Sequence, residues 1–301
     1  MMKILYLFGA DKIPFSQMIH LEKNAPNLII YAIPVMAILT FLEIYHSYKK
    51  EKKNYPLKET LGSTVVGLGN VALGLLVKIG LLYMAIWIYD LVPWRMELNW
   101  WMLIPCYLLF DLCSYWSHRV SHENRFFWAT HIVHHSAENY NLSVSFRLSW
   151  VQNIKIVFFL PIFFLGFHPI IIFVVSQASV LFQFWVHTEY IKKLHPAFEY
   201  VLATPSNHRV HHGTQEKYLD KNYAATFIFW DRMFGTYQKE EERPDYGLTN
   251  KIGNRFNPLF LNFHEYGDMI KDVKEAKTWR RKLFFIFGSP LRIYKDKNDI
   301  T

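Results

Sequence analysis

Four apolar stretches, at residues 28–46, 61–92, 99–117 and 152–188, leave this chain few architectures to choose from. Each is long enough to enter or cross a hydrocarbon layer about 30 Å thick. At that depth no water is present, so every backbone N–H and C=O must be satisfied within its own segment. Helices meet that demand and open sheets do not. The expected fold is an all-α integral membrane protein. A content of 51% apolar and 18% aromatic residues agrees, being rich for a soluble chain.

The stretch 28–46 tolerates Pro34 as a kink. Residues 61–92 would form a helix of about 48 Å, longer than the membrane. Lys78 interrupts it, but cutting there leaves a second piece, Ile79 to Val92, too short to span comfortably. One long or bent crossing is the preferred reading, with two crossings as the alternative. The chain then returns through 99–117. Residues 152–188 hold two apolar arms around Gly166-Phe167-His168-Pro169, a turn signal, and read as a hairpin that dips in and comes back. The total is about five crossings.

A net charge of +8 often hints at nucleic acid, but here the basic residues flank apolar spans and no nucleic-acid fold signature accompanies them. They read better as topology. Lys49, Lys50, Lys52, Lys53 and Lys58 crowd the loop after the first span, and more than half of the 33 lysines and arginines follow residue 190. By the positive-inside rule both regions are cytoplasmic. Arg280-Arg281-Lys282 followed by Leu283 to Phe287 reads as a membrane-surface segment or as a basic stretch beside a core helix. The apolar run from Ile4 to Ala10 is too short for a secretory core and runs into Asp11 and Lys12, so no cleaved signal is expected. Cys106 and Cys113 would stand about 10 Å apart on one helix, too far to bridge.

Onto this frame the chain places two His-x-x-His-His triplets, His131/His134/His135 and His208/His211/His212, with a His118/His122 pair ahead of the first. On a helix each triplet presents its imidazoles within an arc of about 100°, so one helix face can hold a metal. Packing so many imidazoles together without a cation would leave them repelling whenever protonated. His187, near the end of the hairpin at the same depth, is a ninth candidate ligand. His20, His46, His168, His195 and His264 stand alone and are expected outside the site. Nine imidazoles exceed one metal's needs and suit two, at four or five nitrogens each with positions left for water or oxygen.

Neutral ligands leave two divalent cations uncompensated, so the centre should attract anions, which suits reduction of dioxygen. Two carboxylates are candidates to assist. Asp111 shares a helix face with Tyr115, His118 and His122 at membrane depth, either supporting a ligand or serving as a buried acid satisfied by a neighbouring helix. Glu123 directly follows His122 and could temper the charge, or else pair with Arg119 or Arg125 on the helix surface. Imidazole alone does not choose iron over zinc. Location narrows the choice, because a two-metal site under apolar helices is placed to act on a lipid chain, and oxidising an unactivated C–H bond needs a redox metal. A zinc hydrolase or a metal transporter is the rival of another class.

The order His-x3-His, His-x2-His-His, apolar hairpin, His-x2-His-His resembles the fatty acid hydroxylase and sterol desaturase superfamily of membrane di-iron enzymes, over residues 105–240. The strings from Asp111 to Glu123, His131 to Ser143, Phe184 to Glu189, Thr204 to Gly213, Asp220 to Tyr223 and Trp230 to Thr236 are similar to its alkylglycerol monooxygenase branch. The resemblance implies a cytoplasmic histidine-rich cap binding two Fe ions through His118, His122, His131, His134, His135, His208, His211 and His212. It also implies an essential acid at Glu123, and His187 corresponds to an extra histidine between motifs. Dioxygen would be the cosubstrate, and the branch uses tetrahydrobiopterin as reductant to oxidise the carbon next to an ether oxygen of alkyl glycerolipids. Sterol or fatty-acid hydroxylation or desaturation is the nearest rival. Asn207 is a departure, since the resemblance leads to His there. The whole, 1–301, reads as one membrane-embedded domain: a transmembrane region 28–92, the hydroxylase-like core and a cytoplasmic tail 241–301.

Overall fold

In the computed structural model, residues 9–50 and 54–298 are described. Ile4 to Phe8 of the N-terminal run, and Lys52 and Lys53 of the lysine loop, lie outside them. The described residues contain no β-strand. Helices α1 (Phe15–Asn24), α2 (Leu28–Lys49), α3 (Leu57–Leu91), α4 (Leu103–Glu123) and α5 (Arg125–His135) build the first half. After them come α6 (Leu160–Phe164), α7 (Pro169–Trp185), α8 (Pro196–Val201), α9 (Pro205–His211) and α10 (Phe229–Met233). The chain closes with α11 (Pro258–Glu275), α12 (Trp279–Phe287) and α13 (Pro290–Asn298).

Two helices, α2 and α3, are long and apolar enough to cross a membrane. Their hydrophobic side chains are not the core of a soluble bundle: Ile30, Ile33, Phe41, Leu68, Leu75 and Leu76 all face outward, uncovered by protein. Such a surface suits contact with lipid, and together with the length of these helices it supports a membrane protein. The stretch 61–92 belongs to a single 35-residue helix, without a break at Lys78. Pro34 lies inside α2, as the sequence suggested.

The arms of the hairpin are shorter than the apolar run implied. The first begins as a 3₁₀ helix over Gln152–Phe159 before the five-residue α6, and α7 has 17 residues. Gly166, at φ +82°, makes the turn between them, where its carbonyl accepts from Met96 N at 2.8 Å. His168 then starts α7, its Nδ1 accepting from Ile170 N at 3.2 Å ahead of Pro169. His195 opens α8 in the same way. Both lone histidines thus serve as helix caps, for which an acceptor nitrogen suffices.

The apolar centre joins α3, α4 and the hairpin through Ala85, Ile88, Cys106, Ile162, Phe163, Ile171 and Val175. Both cysteines are free. On the other side of α5, α11 is tied on by Arg125, wholly buried, which donates to Glu265 at 2.5 Å and Asp272 at 2.6 Å. Asn124 separates α4 from α5 and caps α5 by accepting from Phe126 N at 3.1 Å. One residue therefore fixes the angle between the two helices that carry the first five histidines.

Candidate metal centre

Successive residues of an α-helix point about 100° apart, whereas residues i and i+4 point nearly the same way. On α4 this aligns His118 with His122, and on α5 it aligns His131 with His135 while turning His134 aside. At α9 it aligns His208 with His212, just past the helix end, and turns His211 aside. The nine imidazoles gather into two groups. His118, His122, His131, His135 and His211 form one, and His134, His187, His208 and His212 form the other, with the donor atoms inside each group within 4.8 Å of one another. Neither triplet serves a single group, as one helix face per metal would require. Each gives its i, i+4 pair to one group and its i+3 member to the other. The groups adjoin, with the rings of His135 and His212 stacked at 4.3 Å.

The donor atoms face inward. In the first group Nε2 to Nε2 distances are 2.8 Å for His118 and His131, 3.2 Å for His131 and His135, and 3.1 Å for His135 and His211. In the second they are 3.2 Å for His134 and His187, 3.0 Å for His187 and His208, and 3.1 Å for His134 and His212. Metal–imidazole bonds of about 2.1 Å at right angles would set neighbouring nitrogens about 3.0 Å apart, against about 3.4 Å for a tetrahedron. The observed spacings fit the right-angled arrangement, with sites left for other ligands.

Tautomers can be assigned from the partners of the far nitrogens. His118 Nδ1 lies 2.7 Å from Tyr223 O, His211 Nδ1 2.9 Å from Lys221 O, and His187 Nδ1 2.8 Å from Gln183 O. A carbonyl only accepts, so each Nδ1 carries the proton and donates, and each Nε2 keeps its lone pair for the centre. His122 Nε2 is buried with no hydrogen-bond partner. Burial pushes the imidazoles of His131, His134, His135, His208, His211 and His212 well below the ordinary histidine value, and the neighbouring rings push further. They are held neutral, the state a metal takes. Donor type, tautomer and spacing together fit two transition-metal ions.

The carboxylates lie elsewhere. Asp111 is completely buried, but it accepts from Thr226 N at 2.8 Å, Phe227 N at 3.1 Å and Trp230 Nε1 at 3.0 Å, pinning the segment before α10 to α4. Glu123 is not drawn in among the histidines; its half-exposed carboxylate accepts from Arg119 Nε at 2.9 Å. Instead Asp220 approaches His122 Nδ1, at 3.6 Å. Asp220 and Asn222 take left-handed backbone, φ 57° and 55°, which Asp and Asn tolerate better than most residues. Through them the short run 220–223 serves three histidines, by one carboxylate and two carbonyls. Asp231 steadies that run, accepting from Tyr223 N at 2.7 Å and Ala224 N at 2.9 Å.

Sequence reasoning missed Asp220, Asn222 and Asp231 as supports, although it singled out the strings that contain them. Asn207 is buried and structural: its Nδ2 donates to Leu202 O at 3.1 Å, and its carbonyl accepts from Asn222 Nδ2 at 2.9 Å.

The family model described as Fatty acid hydroxylase matches residues 103–236, from the start of α4 to just past α10. An alkylglycerol monooxygenase from Danio rerio is 35% identical over 275 residues, covering 89% of this chain and 60% of that protein. One from Xenopus tropicalis is 44% identical over 212 residues, covering 69% of this chain and 46% of that protein. An ornithine lipid hydroxylase from Rhizobium tropici is 26% identical over 148 residues, 47% of this chain and 44% of that protein. The chain thus spans between 44% and 60% of the length of these three relatives. No solved structure matches it significantly. Residues 103–236, which hold all nine clustered histidines, thus match the fatty acid hydroxylase family model, and the chain is similar to the alkylglycerol monooxygenases over most of its own length.

Proposed function

We propose that the protein is a membrane-bound, oxygen-dependent lipid monooxygenase whose two histidine groups hold two iron ions. The proposed substrate is an alkylglycerol, hydroxylated at its ether-linked carbon, with dioxygen as cosubstrate and an external reductant such as tetrahydrobiopterin. One observation carries this reading. A cavity of about 540 Å³ starts at His118, His131, His134, His187 and His208, members of both groups, and runs on between apolar side chains of α3, α4 and α7.

Iron held at its head would supply the redox chemistry that an unactivated C–H bond demands. The protein's own residues do the rest. Leu81, Phe110, Phe159, Ile172 and Phe173 offer an alkyl chain a dry channel, excluding water from the reacting end. The depth to which the chain inserts selects the carbon presented to the histidines. An ether oxygen weakens the adjoining C–H bond, so a chain held with that oxygen at the head reacts there most easily.

The relatives named alkylglycerol monooxygenase support this substrate. For Glu123 the proposed role is charge compensation at the outer rim of the first group, one residue beyond His122. The proposed topology is a single membrane-embedded domain with about five crossings, formed by α2, α3, α4 and the two hairpin arms. The histidines and the C-terminal region would face the cytoplasm, a reading supported by the crowding of lysine and arginine there.

The test is to load the protein anaerobically with iron and incubate it with a panel of lipids, with and without oxygen and a reduced pterin. Release of fatty aldehyde from alkylglycerols only when both are present is expected. A hydroxylated sterol, fatty acid or ornithine lipid instead would move the assignment within the family. Turnover by zinc-loaded protein without oxygen would overturn it.

A further inference from the structure

The cavity carries one group that neither the metal centre nor an apolar channel accounts for. Lys155 lies in the 3₁₀ helix Gln152–Phe159 and lines the same cavity as His118, His131 and His134. Those three imidazoles belong to both histidine groups, so Lys155 shares a cavity wall with the head where the groups meet. Among the described residues Lys155 makes no hydrogen bond or ion pair.

Several other polar groups along the wall are engaged. Gln152 Nε2 donates to Asn70 Oδ1 at 3.2 Å, Gln183 Nε2 to Ser179 O at 3.1 Å, and Ser114 Oγ to Phe110 O at 2.8 Å. Lys78, further along, has its ammonium over the Phe173 ring at 5.5 Å. Ser117 and Asn153 also line the cavity without a side-chain hydrogen bond, but among these unengaged groups Lys155 is the one that can carry a charge.

An enclosed lysine without a counter-charge is costly, and two metal cations beside it raise that cost. In a membrane protein such a residue marks a pathway or a ligand. Lysine Nζ brings donors and, when charged, no acceptor. The missing partner must therefore present oxygen at the histidines and an apolar tail beyond them. We propose that Lys155 is the head-group determinant of the cavity, donating to the ether and glycerol oxygens of the substrate and so registering the adjoining carbon against the metal centre. This inference rests on the alkylglycerol reading.

A reduced form of dioxygen would present the same kind of acceptor, so the test is made without oxygen. Full-length, metal-loaded protein in lipid nanodiscs is titrated with a long-chain alkylglycerol and with the n-alkane of equal chain length. The wild type is expected to prefer the alkylglycerol. Lys155→Met should weaken that ligand by about tenfold to a hundredfold, the worth of a hydrogen bond to a charged group, and leave alkane affinity and metal content unchanged. Lys155→Gln, which restores an N–H donor, should recover part of the preference and stands in should the methionine variant not fold.

Ligand-free Lys155→Met should also melt above the wild type, because an unpaired enclosed charge has been removed. A lower melting temperature with the preference intact would show that Lys155 is a packing residue and overturn the proposal. Equal preference in wild type and variants, from a wild type that oxidises alkylglycerols, sinks the role of Lys155 alone. A wild type that neither prefers nor oxidises alkylglycerols removes the substrate reading along with it.

Discussion

His134 and His135 are consecutive in the chain, yet their rings stand at 90° with centroids 5.5 Å apart and belong to different histidine groups. His211 and His212 repeat the relationship at 89° and 5.3 Å. A His-x-x-His-His triplet thus reaches both histidine groups from one short helix, and it makes the two groups share both supports. His134→Ala removes one of four donors from the second group and none from the first. The expected result is a fall from about two metal ions per chain toward about one, with loss of turnover. His20→Ala, at an exposed position on α1, should change neither. Elemental analysis beside a turnover assay decides, and full activity in His134→Ala would contradict the assignment.

Asp220 reaches the first group only, through His122 at 3.6 Å. Supports of this kind typically contribute tenfold to a hundredfold in metal affinity. Asp220→Ala should therefore weaken one metal by about that factor and leave the four-histidine group as it was. Competition with a graded series of chelators would resolve two classes of ion in the variant; a uniform loss from both groups would count against the pairing.

Asp111 takes hydrogen bonds from three donors that have no other described partner, two of them backbone N–H groups. Asp111→Ala should cost on the order of 3 kcal/mol or more, since each buried donor left unsatisfied costs about 1–3 kcal/mol. The melting temperature should drop while the folded fraction still carries its metal. Metal loss at unchanged melting temperature would instead make Asp111 part of the ligand support.

Glu123 sits in an exposed pair with Arg119, where an ion pair is worth about 1 kcal/mol at most. If its role is charge compensation at the rim, Glu123→Gln lowers turnover with almost no change in melting temperature. Preserved turnover would reduce it to a surface contact.

The buried histidines predict how the metal-free protein responds to acid. The folded pKa values of His131, His135, His208 and His212 lie well below the ordinary 6.5, with burial the largest cause. Below pH 6.5 the unfolded chain binds protons that the folded chain refuses. Stability is therefore insensitive to these groups above that pH and falls as the pH drops beneath it. Melting temperatures of chelated protein should decline from about pH 6.5 downward, and bound metal should be lost over the same range as protons compete for the nitrogens. A flat profile there would mean that the rings are not held neutral by the fold.

The histidines were legible because a metal demands side chains, and side chains at i, i+3 and i+4 leave a mark in sequence. The apolar runs were legible for the same kind of reason, since lipid constrains composition over a whole helix. What could not be read was the backbone's part. Tyr223 and Lys221 hold His118 and His211 through carbonyls that every residue owns, and Asp111 is satisfied largely by peptide N–H groups. The division of each triplet between two groups depends on helices distant in sequence meeting at one point. Pattern within a single helix shows which rings point together, but not toward which neighbour.

At 35 residues α3 is about 52 Å long, well beyond the roughly 30 Å of a bilayer's hydrocarbon core. Its N-terminal turns stand beside the segment that follows α5, where Glu59 accepts from Glu138 N at 2.7 Å and Asn139 Nδ2 at 2.6 Å, three and four residues after His135. A stiff rod that leans when the surrounding lipid thins carries its far end with it. With α3 across a bilayer, a change in membrane thickness would act through this contact on the placement of the histidine-bearing helix.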